Sequence, residues 1–244
     1  MLYQWLTVFG YLPVILQAAL LAIEVTILAF VLALALGVVA ALGRNSRFKI
    51  LRLGAGVYVE VIRNTPVLLQ IFVAFFAVPS LGINIDAFSA GVMALGVNVG
   101  AYLCEVFRAG ISSVSKGQLE AARILGLGEA QVFTYVVLPQ ALRNVYPAVI
   151  NNLIQILLGT SLLSAIALPE LTGMATILNA RTLIFLPIFT ITLLIYLILS
   201  NALSLIGAAV GKRIFKPALI MRRSTLGTRF AVRRVGRPAM GVKK

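Results

Sequence analysis

Five long apolar runs decide which solvent this chain folds in. A helix that crosses the hydrocarbon core of a bilayer needs about 20 apolar residues, and the stretches 17–42, 53–78, 90–107, 147–168 and 183–210 meet or approach that length. They are continuous rather than alternating, which selects helices over a membrane barrel. The chain is 61% hydrophobic and only 11% charged, where a soluble domain carries about a quarter charged residues. It could bury a core but could not clothe that core in polar surface. In lipid the backbone must pair within its own segments. The expected fold class is therefore an all-α membrane protein with five transmembrane helices.

The basic residues orient those spans. Arg44, Arg47, Lys49 and Arg52 lie between the first and second spans; Arg108, Lys116, Arg123 and Arg143 lie between the third and fourth. Lys212 and a run of further cations follow the fifth, and only Arg181 stands between the fourth and fifth. The positive-inside rule places the N-terminus outside and the C-terminus in the cytoplasm. Residues 1–15 form an external segment, 16–212 a membrane domain, and 213–244 a basic tail, expected to be largely disordered from Lys216 onward. Each basic residue of the tail near anionic headgroups is worth about 1 kcal/mol; a solvated topology anchor fits equally. Membrane lipid is thus an expected partner. Nucleic acid is not, because the tail lacks aromatic interleaving or a recognition motif.

Several chemistries are excluded. The first residues show no basic n-region and no small-residue cleavage site ahead of a short apolar core, so a removable signal peptide is not expected. Cys104 is the single cysteine and there is no histidine, which leaves no disulfide framework, no metal site and no histidine base. The nearest approach to a phosphate loop, Gly207-Ala-Ala-Val-Gly211-Lys212-Arg213, has three residues between glycines where four are required and Arg where Ser or Thr would hold magnesium. The chain is read as a transport subunit, not an enzyme, with no catalytic residue.

Two echoes stand near the cytoplasmic ends of spans: Tyr58-Val-Glu60-Val-Ile-Arg63 and Tyr102-Leu-Cys-Glu105-Val-Phe-Arg108. Glu and Arg three apart share a helical face and can pair, which lowers the cost of placing them near lipid. Thr65-Pro66 is expected to kink the second span. Phe72, Phe75 and Phe76 read as packing or lipid-facing residues, and Gly96-x-x-x-Gly100 allows close helix contact.

The loop between spans three and four is the informative one. It runs Gly117-Gln118-Leu119-Glu120-Ala121-Ala122-Arg123-Ile124-Leu125-Gly126 and, after nine more residues, Val136-Val137-Leu138-Pro139. This reads as two short helices hinged at Gly126-Leu127-Gly128, where glycine permits a left-handed turn. Ala121 and Ala122 are expected to leave a flat face for another protein, and Glu120 to offer it a charge. Pro139 is expected to break the helical ladder before the chain re-enters the membrane.

Glu120-Ala121-Ala122, Gly126 and Val136-x-Leu138-Pro139, at this spacing, resemble the coupling signature of bacterial ABC-importer permeases. The runs from Tyr58 to Pro66, from Glu105 to Ile111, Lys116-Gly-Gln118, from Leu138 to Arg143 and Thr160-Ser-Leu162 narrow the resemblance to the polar amino-acid subgroup, the histidine, glutamine, glutamate and arginine systems. The resemblance covers about residues 16–212. It implies a permease of the bacterial inner membrane working as a homodimer or beside a similar permease. ATPase subunits carrying ATP and magnesium would dock on the loop, and an external solute-binding protein would deliver substrate. The implied coupling residues are Gly117, Gln118, Glu120, Ala121, Ala122, Gly126, Leu138 and Pro139. One departure is plain: relatives often carry Lys-Asp or Lys-Asn before Thr-Ser-Leu, and this chain has Leu158-Gly159.

For the transport path, Glu24 is a carboxylate within span one, and intramembrane charge points to function unless a neighbouring helix satisfies it. Asn98 and Gln155 could line a polar path or glue helices together. Thr160, Ser161 and Ser164 could offer hydroxyls to an amino acid, or bond back to carbonyls one turn earlier. Glu170 and Arg181, near the external end, could meet the binding protein or each other. A permease for another small solute fits the same signature. A transporter driven by ion gradients would call for inverted repeats or a charged relay, and the sequence shows neither.

Overall fold

Apolar side chains at helical spacing, with few breakers, make the long elements of this chain. The computed structural model describes residues 2–215; the expected disorder of 216–244 lies outside them. In chain order the α-helices are α1 (Leu2–Gly10), α2 (Leu12–Arg44), α3 (Lys49–Arg63), α4 (Val67–Phe72), α5 (Ala87–Ser112), α6 (Lys116–Ile124), α7 (Glu129–Gln131), α8 (Leu138–Gly159), α9 (Leu171–Thr182) and α10 (Phe185–Ile214). There is no strand among the described residues. Four helical stretches are long and apolar enough to cross a bilayer: α2, α5, the continuous run Glu129–Ile166, and α10.

The helix pair α2 and α5 forms the spine. Ala22, Val25, Ala29 and Ala33 recur about one turn apart on α2 and are fully buried. Backbone approach is close where glycines meet this row. A Cβ on Gly100 would lie 2.9 Å from the Tyr58 hydroxyl and 3.0 Å from Leu36 Cβ, and one on Gly96 would lie 2.7 Å from Leu32. In lipid no hydrophobic force draws helices together, so this close dispersion contact does that work. Gly96 and Gly100 therefore face α2 and make the close helix contact that their spacing allows.

The second span departs from expectation. Residues 53–78 are not one helix: α3 and the run 67–81 meet at 108°. Pro66 has no N–H to give and excludes its predecessor from the α region. Beyond α4 the run continues through a π-helical turn at Val73–Ala77 and a 3₁₀ turn at Pro79–Leu81. The chain thus has four unbroken membrane-length stretches, and a fifth only if this bent pair counts as one.

The fourth span starts earlier than expected. Pro139 does not break it, because helix runs on from Glu129 to Ile166. Pro139 sits in the first turn of α8, directly after a π-helical segment, Val132–Val137. Its missing N–H falls where the hydrogen-bond register changes, so the ladder loses little there.

The end remote from the basic loops carries a second core. Val8 of α1, Ile15, Ala19 and Ala22 of α2, Leu171, Ala175 and Leu178 of α9, and Ile188 and Ile191 of α10 pack together. Residues 2–10 form a helix that packs Trp5 and Val8 against this core. Asp86 opens α5 by accepting from the Ser89 amide at 3.3 Å, and hydrogen bonding by Ser89 holds its carboxyl below the ordinary range.

Candidate functional site

At the basic end, α5 stops at Ser112 and the chain makes a helix–turn–helix before climbing back as α8. Val114, Ala122, Val132 and Val137 form a small buried cluster that holds this loop together. Gly126 has φ +81°, a left-handed conformation that glycine adopts at no steric cost. Across that turn Arg123 Nε donates to Glu129 Oε1 at 2.7 Å and Arg123 Nη2 to Oε2 at 3.0 Å. The fork geometry joins α6 to α7 in one orientation.

Gly117, Gln118, Glu120 and Ala121 are exposed on α6. Ala122 is not: it is buried in the small cluster, so the flat outward face expected of both alanines belongs to Ala121 alone. Leu138 and Pro139 are solvent-facing at the start of α8. The sequence reading missed the most exposed apolar pair of the loop, Ile124 at 86% and Leu125 at 81%. The signal was available: two large aliphatics stand together directly before the glycine hinge.

This loop is anchored to the spans. Asn144 of α8 donates to Ser113 Oγ at 2.8 Å, and Ser113 donates in turn to the Gly110 carbonyl. Of the two Glu-x-x-Arg echoes, Glu105 and Arg108 pair at 3.0 Å, and Arg44 of α2 reaches Glu105 at 3.6 Å. Glu60 and Arg63 form no ion pair among the described residues. Glu60 accepts from Asn64 at 3.3 Å, while the Arg63 guanidinium lies over the Tyr102 ring at 5.2 Å. The sharp elbow at Pro66 draws Asn64 back onto Glu60 and sets Arg63 against α5.

The elbow holds a residue that sequence reasoning did not single out. Pro66 cannot donate to the Ile62 carbonyl four residues earlier. The Gln70 side chain does so instead: its Nε2 lies 2.9 Å from Ile62 O, 2.8 Å from Thr65 Oγ1 and 3.2 Å from Thr65 O. Its Oε1 accepts from Asn98 Nδ2 of α5 at 3.0 Å. Asn98, a path candidate, is therefore buried and engaged as helix–helix glue. A largely apolar cavity of about 390 Å³ opens beside this network, lined by residues including Thr65, Gln70, Met93 and Val97.

The other path candidates divide. Thr160 is fully buried, and its hydroxyl donates to Leu157 O at 2.7 Å. Ser161 donates to Leu158 O and Ser164 to Ser161 O, each at 2.7 Å. All three lie in a 3₁₀ segment, Thr160–Ile166, so they bond back three residues rather than four. The hydroxyl protons are used; the oxygen lone pairs can still accept from an ammonium. Gln155 is exposed on α8, and Asn151 shares its face one turn earlier. Glu24 is exposed on α2. At about 1.5 Å per residue it stands ~30 Å along the helix from Arg44, so with Arg44 at one boundary of the hydrocarbon core Glu24 comes out near the other. No helix of this chain satisfies it among the described residues.

Glu170 is fully buried and forms no pair with Arg181. It caps α9, accepting from the amides of Thr172 at 2.9 Å and Gly173 at 2.8 Å. The Tyr196 hydroxyl of α10 donates to it at 2.8 Å. Tyr196 Oη also lies 3.2 Å from Thr172 Oγ1 and 3.4 Å from Thr160 Oγ1, tying the end of α8, α9 and α10 into one buried network.

Residues 33–216 match the family described as the binding-protein-dependent transport system inner membrane component. A probable glutamine ABC transporter permease protein of Bacillus subtilis (strain 168) is 38% identical over 76% of this chain and 87% of its own length. The arginine transport system permease protein ArtQ of the same organism is 35% identical over 83% of this chain and 93% of its own. Among solved structures, an amino acid ABC transporter crystallised with histidines superposes with a TM-score of 0.82 at 35% identity, over 86% of this chain and 98% of that one. An inward-facing MetNI methionine ABC transporter, at 18% identity and a TM-score of 0.63, shares the fold over 83% of this chain and 94% of its own. The chain belongs to the inner-membrane components of binding-protein-dependent transport systems, the permease subunits of ABC importers.

Proposed function

We propose that this permease passes polar amino acids inward across the inner membrane, driven by ATPase subunits that grip the loop from Lys116 to Pro139. The observation that carries the reading is the hinged helix pair at the basic end. It is rigidly tied to both neighbouring spans through Ser113–Asn144 and the cluster around Ala122. It presents Glu120, Ala121, Ile124 and Leu125 to solvent. A large exposed apolar pair beside a carboxylate is costly to leave in water and suits a protein partner. With the basic end facing the cytoplasm, that partner is the ATPase. ATP and magnesium are its ligands, and closure of two ATPases would rock the spans between outward and inward access.

The substrate class rests on the relatives, whose names specify glutamine, arginine and cystine transport. The path we assign runs along the outward face of α8. Asn151 and Gln155 point away from this chain's own bundle, and amide groups facing lipid are expensive. A second permease, identical or similar, would cover that face and enclose the path with an external binding protein above it. Ser161 and Ser164 lie beyond Gln155 and offer acceptor oxygens for an ammonium. Leu158-Gly159, where relatives often carry Lys-Asp or Lys-Asn, offers no charge, so charge recognition would come from the partner permease.

The test is a mild-detergent pull-down of the tagged chain combined with uptake. The wild type should retain an ATPase, alone or with a second permease. Glu120→Arg and Leu125→Asp should still insert and fold, yet lose the ATPase and at least tenfold of uptake, because a reversed charge and a buried carboxylate each oppose docking. Wild-type uptake by Glu120→Arg would sink the coupling assignment.

A further inference from the structure

The join between the hinged loop and α8 breaks the spacing of a regular helix. Ala141 and Val145 are buried four apart on the side of α8 that meets α5, where the bare backbone of Gly110 leaves no room for a Cβ. Val137 continues that buried row one turn earlier. The next buried residue back is Val132, five positions away rather than four. Phe133, at the helical spacing, is exposed, and Val136 is only partly buried. In an α-helix five residues turn about 500°, which leaves the fifth about 140° off the face of the first. Yet Val132 and Val137 pack together with Ala122 and Val114 in one cluster.

The backbone accounts for this. The Leu138 N–H donates to Phe133 O, five residues back, and such π-helical bonding brings the fifth residue round towards the face of the first. Val132–Val137 is in effect a helical turn with one residue inserted. An insertion of this kind strands a donor of the ladder. Pro139 follows directly and has no N–H to strand. Gln140 turns its side-chain amide back onto the Val136 carbonyl at 2.9 Å, giving a donor where the proline gives none.

We infer that this inserted residue aims α6 at the ATPase: Pro139 and Gln140 hold the π register, and Val132 carries it to α6 through Ala122. The inference rests on α6 being the ATPase contact, as proposed above. In a plain α register Phe133 would take the place of Val132 in the buried row. Everything before it, the Arg123–Glu129 fork included, would then turn about 100° around the axis of α8. Ala122 would lose its seat, and Glu120, Ile124 and Leu125 would face a new direction. Segments of π-helix are rare and occur frequently at functional sites; this one lies where the loop joins a membrane span.

The experiment places spin labels at Ile124→Cys and Leu142→Cys in the full-length chain, with Cys104→Ala, and reads their separation in lipid vesicles without ATPase. Deleting Thr134, an exposed residue of the π segment, leaves Val132 and Val137 four apart in a regular α-helix. The label distance should then stay within about 2 Å, close to the rise of one residue. Deleting Thr134 and Tyr135 together turns the loop out of phase and should move the distance by at least about 5 Å, on a helix about 10 Å across. Pro139→Ala combined with Gln140→Leu restores a backbone donor and removes the side-chain one, so a second population should form at a shifted distance. In uptake with the cognate ATPase, the single deletion should stay near wild type. The double deletion should lose transport while the half-saturating substrate concentration holds. A single deletion that moves the labels as far as the double one, or one unshifted population in Pro139→Ala with Gln140→Leu, would overturn the inference. Distances that shift as expected while uptake stays undiminished would instead sink the reading of α6 as the ATPase contact, so the two failures are distinguishable.

Discussion

The elbow at residues 64–66 bends one membrane segment and the break at residues 167–170 ends another, and each strands backbone groups that the helix no longer pairs. They are repaired with opposite chemistry. At the elbow the stranded groups are carbonyls at a helix C-terminus, Ile62 O and Thr65 O, and the repair is a donor, the Gln70 amide. At the other break they are amides at a helix N-terminus, Thr172 N and Gly173 N, and the repair is an acceptor, the Glu170 carboxylate. Surroundings differ as well. Glu170 is wholly buried and shared with Tyr196 from a third helix. Asn64, Thr65 and Pro66 are exposed and lie beside a cavity. One break is locked into the bundle. The other has room to change its angle, which makes the α3–α4 elbow the better hinge for rocking motion.

Removing the acceptor should cost most. Glu170→Ala would leave the Thr172 and Gly173 amides without their acceptor, at about 1–3 kcal/mol each, and would turn the Tyr196 hydroxyl to its remaining neighbours Thr172 and Thr160. We expect a fall in stability of at least about 2 kcal/mol, read as thermal unfolding in a fixed detergent. Glu170→Gln keeps one acceptor oxygen but sets an NH₂ against a backbone N–H, so it should fall between wild type and alanine. If Glu170→Ala cost no more than a substitution at the elbow, the contrast between locked and open breaks would fail.

At the elbow the hydrogen-bond polarity is reversed, and so is the expected ranking. Gln70→Leu removes the donor from Ile62 O and Thr65 O and should cost about 1–2 kcal/mol, less than Glu170→Ala because water can reach part of this site. Gln70→Glu should be at least as damaging, because a carboxylate facing two carbonyls has nothing to give. A pair of spin labels across the elbow should show a broader distance distribution in Gln70→Leu than in wild type. An unchanged distribution would remove Gln70 from control of the angle.

Much of this was legible before any coordinates. Unbroken apolar runs gave four of the helical stretches, because lipid leaves the backbone few alternatives. Thr65-Pro66 marked a kink, since a missing N–H is a local property of proline. The spacing from Glu120 to Pro139 marked the loop at the basic end. What escaped notice depended on distant partners or on angle. The role of Glu170 needs Tyr196, 26 positions away. The isolation of Ala122 from solvent needs Val132 to fold back over it. Gln70 was within reach: a long amide one turn after a proline can feed the carbonyl that the proline abandons. The elbow's 108° was not, because nothing local sets how far a broken helix turns.

The smallest expected effect tests whether the elbow is held from α5 at all. Asn98 Nδ2 donates to Gln70 Oε1 at 3.0 Å, and interhelical hydrogen bonds in membrane proteins average about 0.6 kcal/mol. Asn98→Ala should therefore cost about 0.5–1 kcal/mol, while leaving the Gln70 amide free to keep its bonds to Ile62 and Thr65. In a double-mutant cycle with Gln70→Leu, most of that cost should vanish, because the oxygen Asn98 serves is already gone. If the two costs simply add, Asn98 acts through packing alone and the elbow takes its angle from α3 and α4. If they couple, α5 restrains the hinge through one side-chain bond. The motion of α3 then reaches the loop at the basic end through α5 itself, whose last residue leads directly to Ser113 and α6.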